Sequence, residues 1–324
     1  MLLWKGKNLT GFLTAGIIRT AMEVGLVYSL VALSLFISYS ILNICDLSTD
    51  GCYTLGCAVG AMITIAGHPI LGILAAMLAG VCSGYITALL QTRFGVESIL
   101  AGIIVNTGLY TINLAVMGFS SNVSIFGTAT VFSMFKSLSG SKFWQSWSSL
   151  ILLALILLCS CFLIRWFLGT RLGLSIRATG DSPAMVRASS INPAFTITVG
   201  LCASNALTGL AGALIGQYNK TCDINLGTGM VTIALASLVI GETLFGRRRM
   251  LTRIFGVVVG SCLYRFVISL ALRLNVPTEA FKLVSALIVA IAIAMPRARQ
   301  IISFEAKKQL AMRERKRQRG GSHA

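Results

Sequence analysis

Long apolar runs, separated by short polar breaks, dominate the chain and lack the two-residue alternation of half-buried strands. A helix needs about 20 mostly apolar residues to cross a bilayer, within a range of roughly 17–25. Stretches that meet or approach that length lie at 20–42, 53–67, 70–91, 98–118, 149–168, 195–218, 226–245, 253–274 and 282–296. The second and the last are short. The pattern predicts an all-α, polytopic transmembrane helical bundle of about 8–10 spans. The longer connection 119–148 carries Trp144 and Trp147 beside the next span, where an interfacial belt favours them.

Composition narrows the class further. Of 324 residues, 56% are hydrophobic and 11% charged, against roughly 25% charged in an ordinary soluble domain. So little polar material cannot clothe a soluble globule, which excludes a soluble enzyme and a disordered chain. The nine cysteines lie mostly inside apolar runs and form no CxxC pair, since Cys159 and Cys161 are two apart. They read as reduced, structural thiols rather than a disulfide framework. The N-terminus shows no small-residue cleavage site after a short apolar core, so no removable signal peptide is expected.

The net charge of +17 sits in a few connections. Arg171, Arg177 and Arg187 fall within 169–194, and Arg247, Arg248, Arg249 and Arg253 fall two connections later. From Arg297 onward there are nine Lys/Arg against Glu305 and Glu314. With the spans as counted, these three segments share one side, and the positive-inside bias makes it cytoplasmic, C-terminus included. This is topological charge and not a nucleic-acid stripe. Nine spans then place the N-terminus outside, whereas Lys5, Lys7 and Arg19 favour the inside. Either 9–18 adds an extra or re-entrant piece or the short tail crosses despite its charge. The expected division is an N-terminal segment 1–19, a transmembrane domain 20–296 with a cytoplasmic loop at 169–194, and a basic tail 297–324 that suits anionic lipid.

A short internal similarity joins ICDLS at 44–48 to TCDIN at 221–225, 177 residues apart. If 149–168 is an odd connector between two sets of four spans, the second copy is inverted, a common transporter plan. Chance similarity is the alternative. Gly56–Gly60, Gly212–Gly216 and Gly256–Gly260 are GxxxG spacings that permit close helix approach, either as plain packing or as a sliding or dimer seam.

Ionisable and amide groups at membrane depth need a partner or a cavity. Asp46 and Asp50 lie in the polar break after the first span, where they either line a pathway, meeting a substrate amino group, or cap the helix beginning near Gly51. Asn106 and Asn113, seven apart, share one helix face. With Asn43, Asn205 and Gln217 they complete the pathway candidates, and interhelical hydrogen bonding is the competing role. Glu242 near Arg247–Arg249 reads as an interfacial ion pair, Arg265 as a snorkelling cation, and His68 beside Pro69 as a turn residue rather than a metal ligand. No metal or catalytic group is expected.

Residues 169–194 are furnished for docking. Asp181 or Ser182 caps a short helix with Pro183 in its first turn, Met185, Val186 and Ala188 give it an apolar face, and Asn192 with Pro193 stops it. An interfacial helix lying on the bilayer is the other possibility. This loop resembles the coupling loop of ATP-binding-cassette importer permeases of the branched-chain amino-acid and ribose type. NICDLSTDGCYTLG from Asn43 to Gly56 is similar to that family's early polar motif, and GLAGALIGQ from Gly209 to Gln217 and LASLVIGE from Leu235 to Glu242 match its later spans. The resemblance covers about 20–296 and is strongest to the branch of tryptophan/tyrosine transporter permeases. It implies a homodimer of permease subunits in a bacterial plasma membrane. It also implies cytoplasmic ATPase subunits that use ATP and magnesium, and a separate extracytoplasmic binding protein. The implied coupling residues are Arg177, Gly180, Asp181, Ser182, Pro183, Met185, Val186, Arg187, Ile191 and Asn192. No phosphate loop of the form GxxxxGK[ST] occurs, so ATP hydrolysis would fall to the partner. A stand-alone, ion-coupled secondary transporter is the competing function, and a membrane scaffold without transport a more distant one.

Overall fold

A computed structural model describes residues 15–138, 142–246, 249–273 and 290. The helices are α1 (Ala15–Leu35), continued by a π-helical turn at Phe36–Ile41, α2 (Thr49–Ile65), α3 (Pro69–Thr92) and α4 (Ser98–Val116). They continue as α5 (Val131–Lys136), α6 (Lys142–Gly169), α7 (Arg171–Asp181), α8 (Pro183–Ala188), α9 (Pro193–Asn219), α10 (Met230–Phe245) and α11 (Met250–Arg273). Among the described residues six stretches are long and apolar enough to cross a membrane: Ile18–Ile41, Pro69–Thr92, Ser98–Val116, Trp144–Gly169, Pro193–Asn219 and Met250–Leu270. The polytopic bundle is therefore as expected. The stretch 282–296, the segment 1–14 and the tail 297–324 lie outside the described residues.

Two differences have local causes. The span expected at 226–245 begins only at Met230, because Gly229 adopts a left-handed φ of 85° and ends the preceding loop there. A small antiparallel pair joins β1 (Asn122–Ser124) to β2 (Thr221–Asp223), with Val123 opposite Cys222. The sequence pattern offered no strand there, since three residues are too few to show alternation.

Hydrogen bonds and close approaches set the helix directions. Tyr218 meets Glu23, Ser204 and Thr208 meet Ser34, and Gly200 faces Leu42, so α9 runs antiparallel to α1. Gly56 lies on Gly209 and Thr64 on Gln217, so α2 runs parallel to α9. α10 runs the other way, from Asp50 down to Ser40, and α11 returns along α1 from Ser40 to Gly25. Helices α1, α2 and α3 thus correspond, inverted, to α9, α10 and α11. The two sets interlock: α3 packs on α9 and α11 on α1. At Gly56 and Gly212 an added Cβ would strike the backbones of Gly209 and Tyr53, so these GxxxG positions serve packing within the chain.

One end of the bundle, the hairpin end, carries β1, β2 and α5; the other, the loop end, carries α7 and α8. Two α-helices shorter than a span, α2 with 17 residues and α10 with 16, begin inside the bundle. At about 1.5 Å per residue neither crosses a roughly 30 Å core alone.

Candidate functional site

The chain breaks twice at corresponding places. Asn43 and Lys220, 177 positions apart, both take a left-handed conformation with φ of 58°. Three residues later Asp46 and Asp223 each accept the backbone N–H two residues on, from Ser48 at 2.9 Å and Asn225 at 2.8 Å. This Asx turn stops one helix and re-aims the chain for the next. The short sequence similarity therefore has a structural counterpart, down to the hydrogen bond.

Asp46 is fully buried. Its Oδ1 also accepts the Ser48 hydroxyl at 2.6 Å, and its Oδ2 accepts the Asn205 amide N–H at 2.8 Å. Asn205 and Asp46 thus meet each other rather than a cavity. Gln217 is equally committed: Nε2 donates to Thr64 Oγ1 and the Pro69 carbonyl, and Oε1 accepts the N–H of Val131. Asn43 is exposed at the loop end.

Asp50, Asn106 and Asn113 are brought together. They line a cavity of about 310 Å³ with Gly51, Thr54, Thr107, Tyr110, Ile224, Asn225 and Thr228. Asp50 does not cap its own helix, whose N-cap is Ser48 without a side-chain bond. Its Oδ2 instead accepts the N–H of Gly229 at 2.9 Å and its Oδ1 that of Val231 at 2.8 Å. The carboxylate so satisfies orphan donors at the start of α10, where the helix dipole favours negative charge. Asn113 is 1% exposed and donates Nδ2 to the Gly51 carbonyl at 3.1 Å, while its Oδ1 has no partner. Asn106, Tyr110 and Asn113 follow at i, i+4 and i+7, so Tyr110, Thr107 and the two loop residues Asn225 and Thr228 were legible only once that face was located. A polar, open wall at this depth cannot face lipid tails.

At the loop end two helices replace the single one expected. Asp181 closes α7 instead of starting a helix, and the Ser182 hydroxyl caps α8 by accepting the Met185 N–H. Asn192 does not stop α8 but caps α9, accepting Ala194 N–H at 3.0 Å with Pro193 next. Gly180 packs on the Ile41 backbone and Val186 is buried, while Arg177, Asp181, Pro183, Met185, Arg187 and Asn192 are exposed and Ser182 and Ile191 partly so. Met185, at 72% exposure, is more exposed than Leu172 or Leu174.

Glu242 bonds Arg253 at 3.1 Å and accepts the Ser40 hydroxyl at 2.7 Å. The expected neighbours Arg247 and Arg248 lie outside the described residues. The Arg265 guanidinium lies 5.1 Å from the Tyr28 ring centre. Glu23, absent from the expected set, is buried against the Tyr218 hydroxyl at 2.7 Å and Arg19 Nε at 2.9 Å. An acid with an arginine four residues earlier inside an apolar run was the available signal. No group of three metal-ligating side chains occurs among the described residues.

Inverted, interlocked repeats with shortened helices beside a polar cavity are the plan of many membrane transport proteins. Residues 17–293 match the family model described as branched-chain amino acid transport system / permease component, and the chain belongs to that family. It is 34% identical over 277 residues to the tyrosine transport system permease protein of Clostridioides difficile strain R20291, covering 85% of this chain and 89% of the relative. A second relative, Uncharacterized protein RP368 of Rickettsia prowazekii strain Madrid E, is 30% identical, covering 86% and 96%. The D-allose transport system permease protein AlsC of Escherichia coli strain K12 is 31% identical, covering 77% and 73%. No solved structure matches the chain. The chain is thus a permease component of an ATP-binding-cassette type transport system.

Proposed function

We propose that this permease is the membrane subunit of an importer for an amino acid, aromatic by its likeness to the tyrosine permease, powered by separate cytoplasmic ATPase subunits. The observation that carries the reading is 34% identity spread over 89% of that relative. Two copies form the pathway, and an extracytoplasmic binding protein delivers substrate in a bacterial plasma membrane. The elbow of α7 and α8, residues 169–194, meets the ATPase, with Met185 inserted and Arg177 and Arg187 beside it. The loop end and the C-terminus are cytoplasmic, and the tail 297–324 rests on anionic lipid. The division 1–19, 20–296 and 297–324 belongs to this proposal. Its support is an elbow that is anchored and yet presents exposed apolar and basic groups. Gly180 and Val186 hold it to the bundle, while Leu172, Leu174 and Met185 project with the arginines. Closure of the ATPase would move the elbow, and through Gly180 against Ile41 it would move the break after α1. The ion-coupled alternative needs a free carboxylate relay, whereas Asp46, Asp50 and Glu242 all hold partners.

Co-expression with the candidate ATPase and mild detergent extraction test this. The ATPase should co-purify with the tagged chain and be lost when residues 181–190 are scrambled. A well-folded permease that never retains the ATPase would overturn the reading.

A further inference from the structure

From the acceptor geometry around Asp50 we infer that the cavity between α2, α4 and the loop 224–228 that leads into α10 is a transit site for a primary ammonium group, the charged end of an amino acid. The inference rests on the importer reading and adds the site and the group recognised there.

The Asn113 amide is oriented by chemistry, since the nitrogen that donates to the Gly51 carbonyl could not be replaced there by an oxygen. That leaves Oδ1 as a buried acceptor with no donor, on a residue 1% exposed that lines the cavity. A buried unpaired acceptor is costly and calls for a donor from elsewhere. The Asp50 carboxylate lines the same cavity, and each oxygen retains lone-pair capacity beyond its backbone N–H bond. The Asn106 amide lies beside Gly51 in the same wall. A carboxylate and an unpaired amide oxygen on residues that line one space form a negative, acceptor-rich wall, and an ammonium offers three donors and one positive charge to it.

Size and the remaining wall favour an organic cation over a bare ion. About 310 Å³ is far more than one inorganic cation fills, and the Tyr110 ring supplies a face that such a cation can approach. Among the described residues no cluster of three metal-ligating side chains occurs. The cavity is open on one side, so passage and not tight storage is the role that fits.

The test reads the cavity directly in native membranes carrying the full chain. Thr107→Cys places a thiol in the wall, and modification of that peptide is followed by mass spectrometry, apart from the nine native cysteines. A cationic methanethiosulfonate with an ethylammonium group is compared with an anionic ethylsulfonate reagent, each normalised to its rate with free thiol. The cation should react at least about tenfold faster, the lower end of what a charged cleft achieves. Asn106→Asp should raise that ratio several-fold, and Asn113→Leu should lower it. Tyramine should slow labelling, while 3-(4-hydroxyphenyl)propionate at equal concentration should not. Equal rates, an anion preference or no labelling at all would overturn the inference. Protection by sodium chloride over choline chloride would assign the site to an inorganic ion and also overturn it. A cation-selective cavity in a chain that never retains an ATPase would leave the site standing while the importer reading falls.

Discussion

The two breaks, at 43–48 and at 220–225, start from the same backbone device and end in different places. Both use a left-handed residue and an aspartate Asx turn, and both turn an apolar helix into a shorter one. In the first, Asp46 is sealed in the interior and gives its second oxygen to Asn205 across the bundle. In the second, Asp223 is half-exposed at the hairpin end and pairs with β1, and the chain travels farther before α10 begins. The donors at the start of α10 are then satisfied by Asp50, borrowed from the first copy. One break is a lock and the other a reach, and the cavity lies where the reach, at Ile224, Asn225 and Thr228, meets α2 and α4. Sequence similarity between repeats marks a shared turn, then, and not a shared job.

The largest effect is expected from Asp46→Ala. It strands the Ser48 N–H and hydroxyl and the Asn205 amide in the interior, at a cost of roughly 3–5 kcal/mol. Thermal unfolding in mild detergent should show a large fall in midpoint; a fall no greater than that of the matching change at 223 would erase the distinction. Asp50→Ala should come next, at about 1–2 kcal/mol, because it uncaps a helix but leaves water in the cavity to replace the carboxylate. Its signature should be faster amide hydrogen exchange at Gly229 and Val231, which a purely local effect on α2 would not produce. Asp223→Ala should cost least, about 0.5–1 kcal/mol, since its one bond lies at an exposed turn. A larger loss would mean that the hairpin end is as tightly locked as Asp46.

Much of the fold was legible because lipid demands long apolar runs, and the runs at 70–91, 98–118 and 195–218 match α3, α4 and α9 within a few residues. The starts of α2 and α10 were less so: a shortened helix inside a bundle is set by what its first N–H groups meet, and for α10 that partner is about 180 positions away. Asn106 and Asn113 shared a face by spacing alone and line one cavity. Asn205 and Gln217 looked the same in sequence, but their amides are used between helices. Polarity within an apolar run shows that a partner exists, and only geometry shows whether it is another side chain or open space.

The contacts that close the bundle join residues far apart in synthesis. Asp46 waits for Asn205, 159 positions later, and Asp50 for Val231, 181 later. At a translation speed of about 5–20 residues per second, the first carboxylates spend on the order of ten to forty seconds in or beside the membrane before their partners emerge. For that interval α2 is a short helix with two acids near its start, Asp46 holding only its local Ser48 donors and Asp50 lacking the donors of α10. The biogenesis machinery must therefore shelter the first repeat, or leave it at the interface, until the second arrives to claim it.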